Sequence, residues 1–91
     1  MLFPERIKLA REQKGLLQKQ LASALRIDVP MYSKIERGKR KAKREQVNIL
    51  AEVLNTDKEE LIALWLADKI HDILAHECNA IEALRIARKT L

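Results

Sequence analysis

The sequence predicts an all-α protein, with a long fifth helix and a short C-terminal helix. Three observations carry that expectation. The strong helix formers Leu, Ala, Glu, Lys, Arg and Gln dominate, while aromatic residues make up only 3% of the chain. Apolar residues recur three and four positions apart along most of the length, the period of a helix with one buried face. Two Gly and two Pro in 91 residues punctuate the pattern without breaking it up.

The elements follow in order. The first helix is expected over residues 4–14, with Pro4 in the first turn, Gly15 at the exit, and Phe3, Ile7, Ala10 and Arg11 on one face. A second helix over residues 18–25 points Leu21, Ala22 and Leu25 inward. Arg26, Ile27 and Asp28 interrupt the pattern, and Asp28 is placed to cap a third helix over residues 29–37, which Gly38 closes. Met31, Tyr32 and Ile35 form its inner stripe. After a basic loop over residues 39–44, a fourth helix at 45–54 carries Val47, Leu50, Ala51 and Leu54 inward. Asp57 and Glu60 have the spacing of a capping box opening a fifth helix, which can run to about residue 76. Asn79 and Glu82 repeat that spacing before a last helix ending near residue 89. Asp68 and Asp72, four residues apart, read as a wet helix face.

Composition excludes several classes of function. No apolar run approaches the roughly 20 residues of a membrane span, and the N-terminus lacks a secretory pattern. Cys78 is the single cysteine and has no internal disulfide partner. A soluble, cytoplasmic chain is expected. His71, His76 and Cys78 do not fall together on one helix face, so no metal site is expected. No nucleophile–base pair and no Gly-rich phosphate cradle stands in the sequence, so neither an enzyme nor a cofactor is expected.

Charge is divided unevenly. The net +5 separates into +9 over residues 1–44 and −4 over residues 45–91. A polyanion partner for the first half follows from that asymmetry. Two short helices joined by a three-residue turn and flanked by basic residues suit the major groove of duplex DNA, which is about 12 Å wide and admits one helix. On the second of these helices Val29, Pro30, Ser33, Lys34 and Arg37 face outward. Few aromatics argue against a single-strand binder, and Tyr32 and Trp65 lie on apolar stripes as core residues.

At the level of motifs the chain resembles the phage-repressor/Cro, or Xre-type, helix-turn-helix family over about residues 5–66. The resemblance rests on Leu9-Ala10-Arg11-Glu12, Lys14-Gly15-Leu16, Gln18-Lys19-Gln20-Leu21-Ala22, Ser33-Lys34-Ile35-Glu36-Arg37-Gly38-Lys39-Arg40 and Leu50-Ala51-Glu52-Val53-Leu54. It implies a five-helix repressor-like DNA-binding domain whose second and third helices form the motif, and double-stranded DNA as the partner, with Val29, Pro30, Ser33 and Lys34 at base-facing positions. Gln18, Arg37, Lys39, Arg40, Lys41, Lys43 and Arg44 match phosphate contacts, and Arg26 is a candidate for another. Arg11 and Glu36 match a structural ion pair. Three departures stand out. Leu17 replaces the usual Ser or Thr cap, and Arg26 occupies a turn position that usually holds Gly. Val29 and Pro30 replace the Gln, Arg or Asn that read bases bidentately. Val29 suits contact with a thymine methyl, and a preference leaning on DNA shape as well as contact is expected.

Residues 1–66 are thus expected to form the DNA-binding domain and 67–91 a helical extension. Ile62, Leu66, Ile70, Ile73 and Leu74 draw a second stripe on the fifth helix, which Ile81 and Leu84 extend. This stripe is expected to close a homodimer or to take a protein partner, unless the last helix folds back over it. A dimeric repressor is the expected function. An antitoxin whose extension binds a partner protein and a restriction–modification controller are the alternatives.

Overall fold

The structure is a computed structural model describing residues 2–91. It contains six helices, α1 (Leu2–Gln13), α2 (Gln18–Leu25), α3 (Val29–Glu36), α4 (Arg44–Leu54), α5 (Lys58–Leu74) and α6 (Ala80–Lys89), and no strand among the described residues. The first five surround one core. Ile7 of α1, Leu21 of α2, Tyr32 and Ile35 of α3, Leu50 and Leu54 of α4, and Leu61 of α5 are all but inaccessible to solvent. The apolar stripes read from the sequence supply these residues, except that Met31 is only half-buried.

Helix α1 begins two residues before the position expected from Pro4, and the reason lies at the far end of the chain. The Asp68 carboxylate on α5 accepts the backbone N–H groups of Leu2 at 2.9 Å and Phe3 at 2.8 Å. The first N–H groups of a helix have no partner within it, and here another helix supplies one. Pro4 has no N–H to satisfy, so it fits the first turn at no cost. Asp68 is therefore buried beneath α1 and does not belong to a wet face. Asp72, one turn on, is exposed but ion-paired with Lys41.

The capping signals divide. Asp57 accepts the Glu59 N–H at 3.2 Å and so caps α5, but Glu60 does not complete a box. Its carboxylate receives Arg6 Nε at 3.4 Å instead, tying α5 to α1. Asn79 makes no capping bond with its side chain, contrary to expectation. Helix α5 ends at Leu74 and not near His76, because Ala75 leaves helical geometry (φ −58°, ψ 133°) and His76 enters the left-handed region at φ 68°.

That turn brings α6 back alongside the second half of α5, where the two line open apolar grooves. One groove, of about 400 Å³, lies between Ile70, Ile73 and Leu74 on one side and Leu84, Ala87 and Leu91 on the other. A second of about 430 Å³ is bordered by Leu2, Ala67, Ala80 and Ile81. Helix α6 buries none of its residues. Folding back leaves the stripe partly open: Ile73 is 74% and Ile81 81% exposed.

Asp68→Ala strips two N–H groups of their acceptor, a buried one at Phe3 and a part-buried one at Leu2. Urea denaturation is expected to show a loss of about 1–3 kcal/mol with an unchanged m-value, and Asp68→Asn, which keeps one carbonyl oxygen, a smaller loss. An Asp68→Ala midpoint equal to the parent's contradicts this role.

Candidate nucleic-acid interface

The site is built on α2 and α3, and its scaffold is the α1–α2 junction. Gly15, at φ 68°, turns the chain out of α1. Leu17 then precedes α2 with extended backbone but no side-chain acceptor. The sequence left this cap in question, and the helix is closed from the other direction. Gln20 Oε1 accepts the Leu17 N–H at 2.7 Å. The same device opens α4, where Gln46 Oε1 accepts the Lys43 N–H at 2.8 Å. One arm of a capping box thus survives where the usual Ser or Thr is missing.

The turn between α2 and α3 keeps its standard shape despite the absence of Gly. Arg26 adopts φ 59°, ψ 42°, the left-handed region, and its backbone N–H with that of Ile27 closes the end of α2 on Ser23 and Ala22. A side chain there costs about 1–2 kcal/mol relative to ordinary helical backbone. The Arg26 side chain is exposed. Asp28 caps α3 as expected, accepting the Met31 N–H at 2.8 Å.

Helix α3 is held to the scaffold by its one buried charge. Arg11 meets Glu36 in a two-pronged contact, Nε to Oε2 at 2.8 Å and Nη2 to Oε1 at 2.9 Å, while Nη1 donates to the Leu16 carbonyl at 3.0 Å. Gln18 Nε2 adds a bond to Glu36 Oε1 at 3.3 Å. The side chains of Arg11 and Glu36 are only 12% and 2% exposed. Burial pushes the Glu36 carboxyl up, but the hydrogen bonds from Arg11 and Gln18 and the Arg11 charge outweigh it and hold it below the ordinary value. Tyr32 lies fully buried beside it, and burial first, then the neighbouring carboxylate, pushes its phenol up.

The outer side of α3 carries the expected base-facing positions. Val29, Pro30 and Lys34 are exposed and Ser33 is half-buried. Arg37 caps the helix, and its Nε lies 3.4 Å from the Ser33 carbonyl. Beyond Gly38, the basic loop separates into two groups. Lys39, Arg40 and Lys43 are exposed, with no side-chain bond among the described residues. Lys41 is ion-paired with Asp72, and Arg44 lies over the Trp65 ring at 5.1 Å from its centroid. Trp65 in turn donates Nε1–H to the Ala42 carbonyl at 2.8 Å and carries Lys69 on its ring at 3.7 Å. The structure therefore engages Lys41 and Arg44 with α5 and leaves the other three free of it. Sequence reasoning missed this division. The only available signal was a Trp among i, i+4 acids and lysines on α5, with nothing to say which loop it would meet. Gln18, expected at the phosphates, is half-buried against Glu36.

Stability should track the Glu36 charge. Glu36→Ala leaves the Arg11 guanidinium buried without its counter-ion and is expected to cost about 3 kcal/mol at neutral pH. Because the folded state holds this carboxyl below its ordinary value, its contribution is complete above about pH 4.5 and is lost as pH falls further. Glu36→Ala should then show a shallower acid limb than the parent in denaturation followed against pH. Parallel curves rule out the charge as the source.

Comparison with known protein families gives a match. The helix-turn-helix family HTH_3 matches residues 7–61, well over half of the chain and all of α2, α3 and α4. No curated protein and no solved structure matches. Residues 7–61 begin within α1 and end inside α5, so the matched segment includes both the Arg11–Glu36 contact and the turn at Arg26. The chain belongs to the helix-turn-helix family of Xre/Cro/cI-type DNA-binding domains, and it is a DNA-binding transcription regulator.

Proposed function

We propose that the chain is a sequence-specific repressor that binds a two-fold operator as a homodimer and acts by occluding a promoter. The observation carrying this reading is the outer face of α3, exposed at Val29, Pro30 and Lys34 and locked in orientation by a buried ion pair. In the bound state α3 lies in the major groove, with Val29, Pro30, Ser33 and Lys34 against base edges. Arg37, Lys39, Arg40 and Lys43 bind flanking phosphates, joined by Arg26 and by the first turn of α2 at Gln18. Lys41 and Arg44 contribute to the field of the basic half more than to direct contact, since each already has a partner on α5.

The dimer forms through the α5–α6 hairpin, using Ile70, Ile73, Leu74, Ile81 and Leu84 together with the adjoining Leu66 and Ile62. Leaving so many aliphatic side chains in water is unfavourable at about 25 cal/mol per Å². Packing the same hairpin from a second chain covers them by a self-complementary contact. Two α3 helices then face half-sites about one DNA turn, ~34 Å, apart. The open grooves also favour a second reading, in which the hairpin receives a partner protein, as in an antitoxin, while the basic half regulates its own promoter.

Reading and clamping are separable by experiment. The logarithm of the DNA-binding constant should fall with the logarithm of salt with a slope of about −4 to −7. Lys34→Ala should weaken the preferred duplex by about 1–3 kcal/mol and random duplex much less. Arg40→Ala should weaken both alike and flatten the salt slope. A Lys34→Ala loss that is equal on the two duplexes reassigns Lys34 to the phosphates.

Light scattering tests the assembly. The full chain should be dimeric at micromolar concentration, and Ile73→Asp combined with Ile81→Asp should be monomeric with an unchanged helical signal, since both side chains are exposed. A monomeric parent chain ends the dimer proposal. A dimer that survives both substitutions moves the interface elsewhere.

A further inference from the structure

The leading tip of α3 is short of hydrogen-bond donors. A helix entering the major groove usually offers free backbone N–H groups and long polar side chains at its N-terminus. Here three features remove them. Pro30, in the first turn, has no N–H. The Met31 N–H is already bonded to the Asp28 carboxylate at 2.8 Å, and the Tyr32 N–H to the Asp28 carbonyl at 3.1 Å. Val29, 41% exposed, and the exposed Pro30 present only carbon to whatever lies in front of them. A guanine there, with acceptors at N7 and O6, meets no side-chain donor from these two residues and loses its water.

One major-groove feature suits such a surface: the C5 methyl group of a pyrimidine. We infer that Val29 and Pro30 read a pyrimidine C5 methyl, so that thymine and 5-methylcytosine serve alike at that position while uracil and unmodified cytosine do not. Lys34, one helical turn further along the same face, supplies the polar contact. The inference rests on the proposed placement of α3 in the major groove and names what its tip selects. It also makes the protein sensitive to cytosine C5 methylation within its operator. Burying one methyl against Val29 is worth about 0.8 kcal/mol, or close to a fourfold change in affinity.

The test uses the full chain and a duplex recovered from a random pool by that chain. Each pyrimidine in the protected stretch is exchanged singly, thymine for uracil within T·A and 5-methylcytosine for cytosine within C·G, so that each comparison changes one methyl and no Watson–Crick pairing. At the one position per half-site that faces Val29, prepared in turn as T·A and as C·G, affinity is expected to fall about fourfold from thymine to uracil and to rise about fourfold from cytosine to 5-methylcytosine. Val29→Ala, at an exposed site that tolerates the change, should remove most of both effects. If thymine and uracil bind equally at every position, or if Val29→Ala leaves the methyl effects intact, the inference is overturned while specific binding stands. Recovery of no preferred duplex overturns the operator reading, and this inference with it.

Discussion

The carboxylate of Glu36 is the constraint on which the geometry of the DNA-binding half depends. It lies at the end of α3 and is reached by Arg11 from α1 and Gln18 from the start of α2, so three helices converge on two oxygen atoms. A greasy contact at the same place would permit sliding, because dispersion is weakly directional. A planar guanidinium facing a carboxylate through two parallel bonds does not. Burying the pair is costly, and apolar residues of equal volume can match or exceed its net stability. Its contribution is to fix the angle at which α3 leaves the body, which is what a helix bound for a groove requires. The third Arg11 nitrogen, on the Leu16 carbonyl, extends the constraint to the chain entering α2.

What the sequence made legible was whatever depends on near neighbours. The bounds of α2, the Asp28 cap, the turns at Gly15 and Gly38 and, apart from the half-buried Met31, the inward apolar stripes of α1 to α4 all follow from residues a few positions apart, and they stand in the structure as read. The left-handed Arg26 was foreshadowed by the missing Gly of a recognisable turn. The family motif made the Arg11–Glu36 contact legible across 25 residues, which spacing alone does not. The start of α1 was not legible, because its cap lies 66 residues away on α5. Nor was the fate of Glu60 or Asn79: a box pattern states what a side chain can reach locally, and a competing Arg6 changes the outcome for Glu60. For the missing Asn79 bond the structure offers no physical account.

The basic loop shows why charge along a sequence overstates the charge free for a ligand. Six cations lie between Arg37 and Arg44, and reading them as equivalent clamps ignores the neighbour they fold against. Trp65 fixes the loop: its ring is buried, its N–H is donated to the Ala42 carbonyl, and its ring carries Arg44 and Lys69. With Ala42 tied down, Lys41 reaches Asp72, while Lys39, Arg40 and Lys43 stay exposed. The acidic half of the chain thereby takes up part of the basic half's excess, and the field of the remaining cations is concentrated beside α3, where it serves association with a polyanion.

Helix α5 belongs to two environments, and the division falls between Asp68 and Ile70. Up to Asp68 its inward residues are buried: Leu61 and Trp65 close the core, and Asp68 caps α1. From Ile70 onward its aliphatic residues border only the exposed Leu2 of α1 and α6, a helix that buries nothing. The first segment is indispensable to the fold, since removing any of its three inward residues opens the core or orphans a helix terminus. The second segment and α6 contribute little to that core, so their apolar character is not explained by folding of the single chain. The turn at Ala75 and His76 folds this stripe into a two-sided hairpin in place of one long bare rod, and it is on this hairpin that the proposed dimer contact is placed.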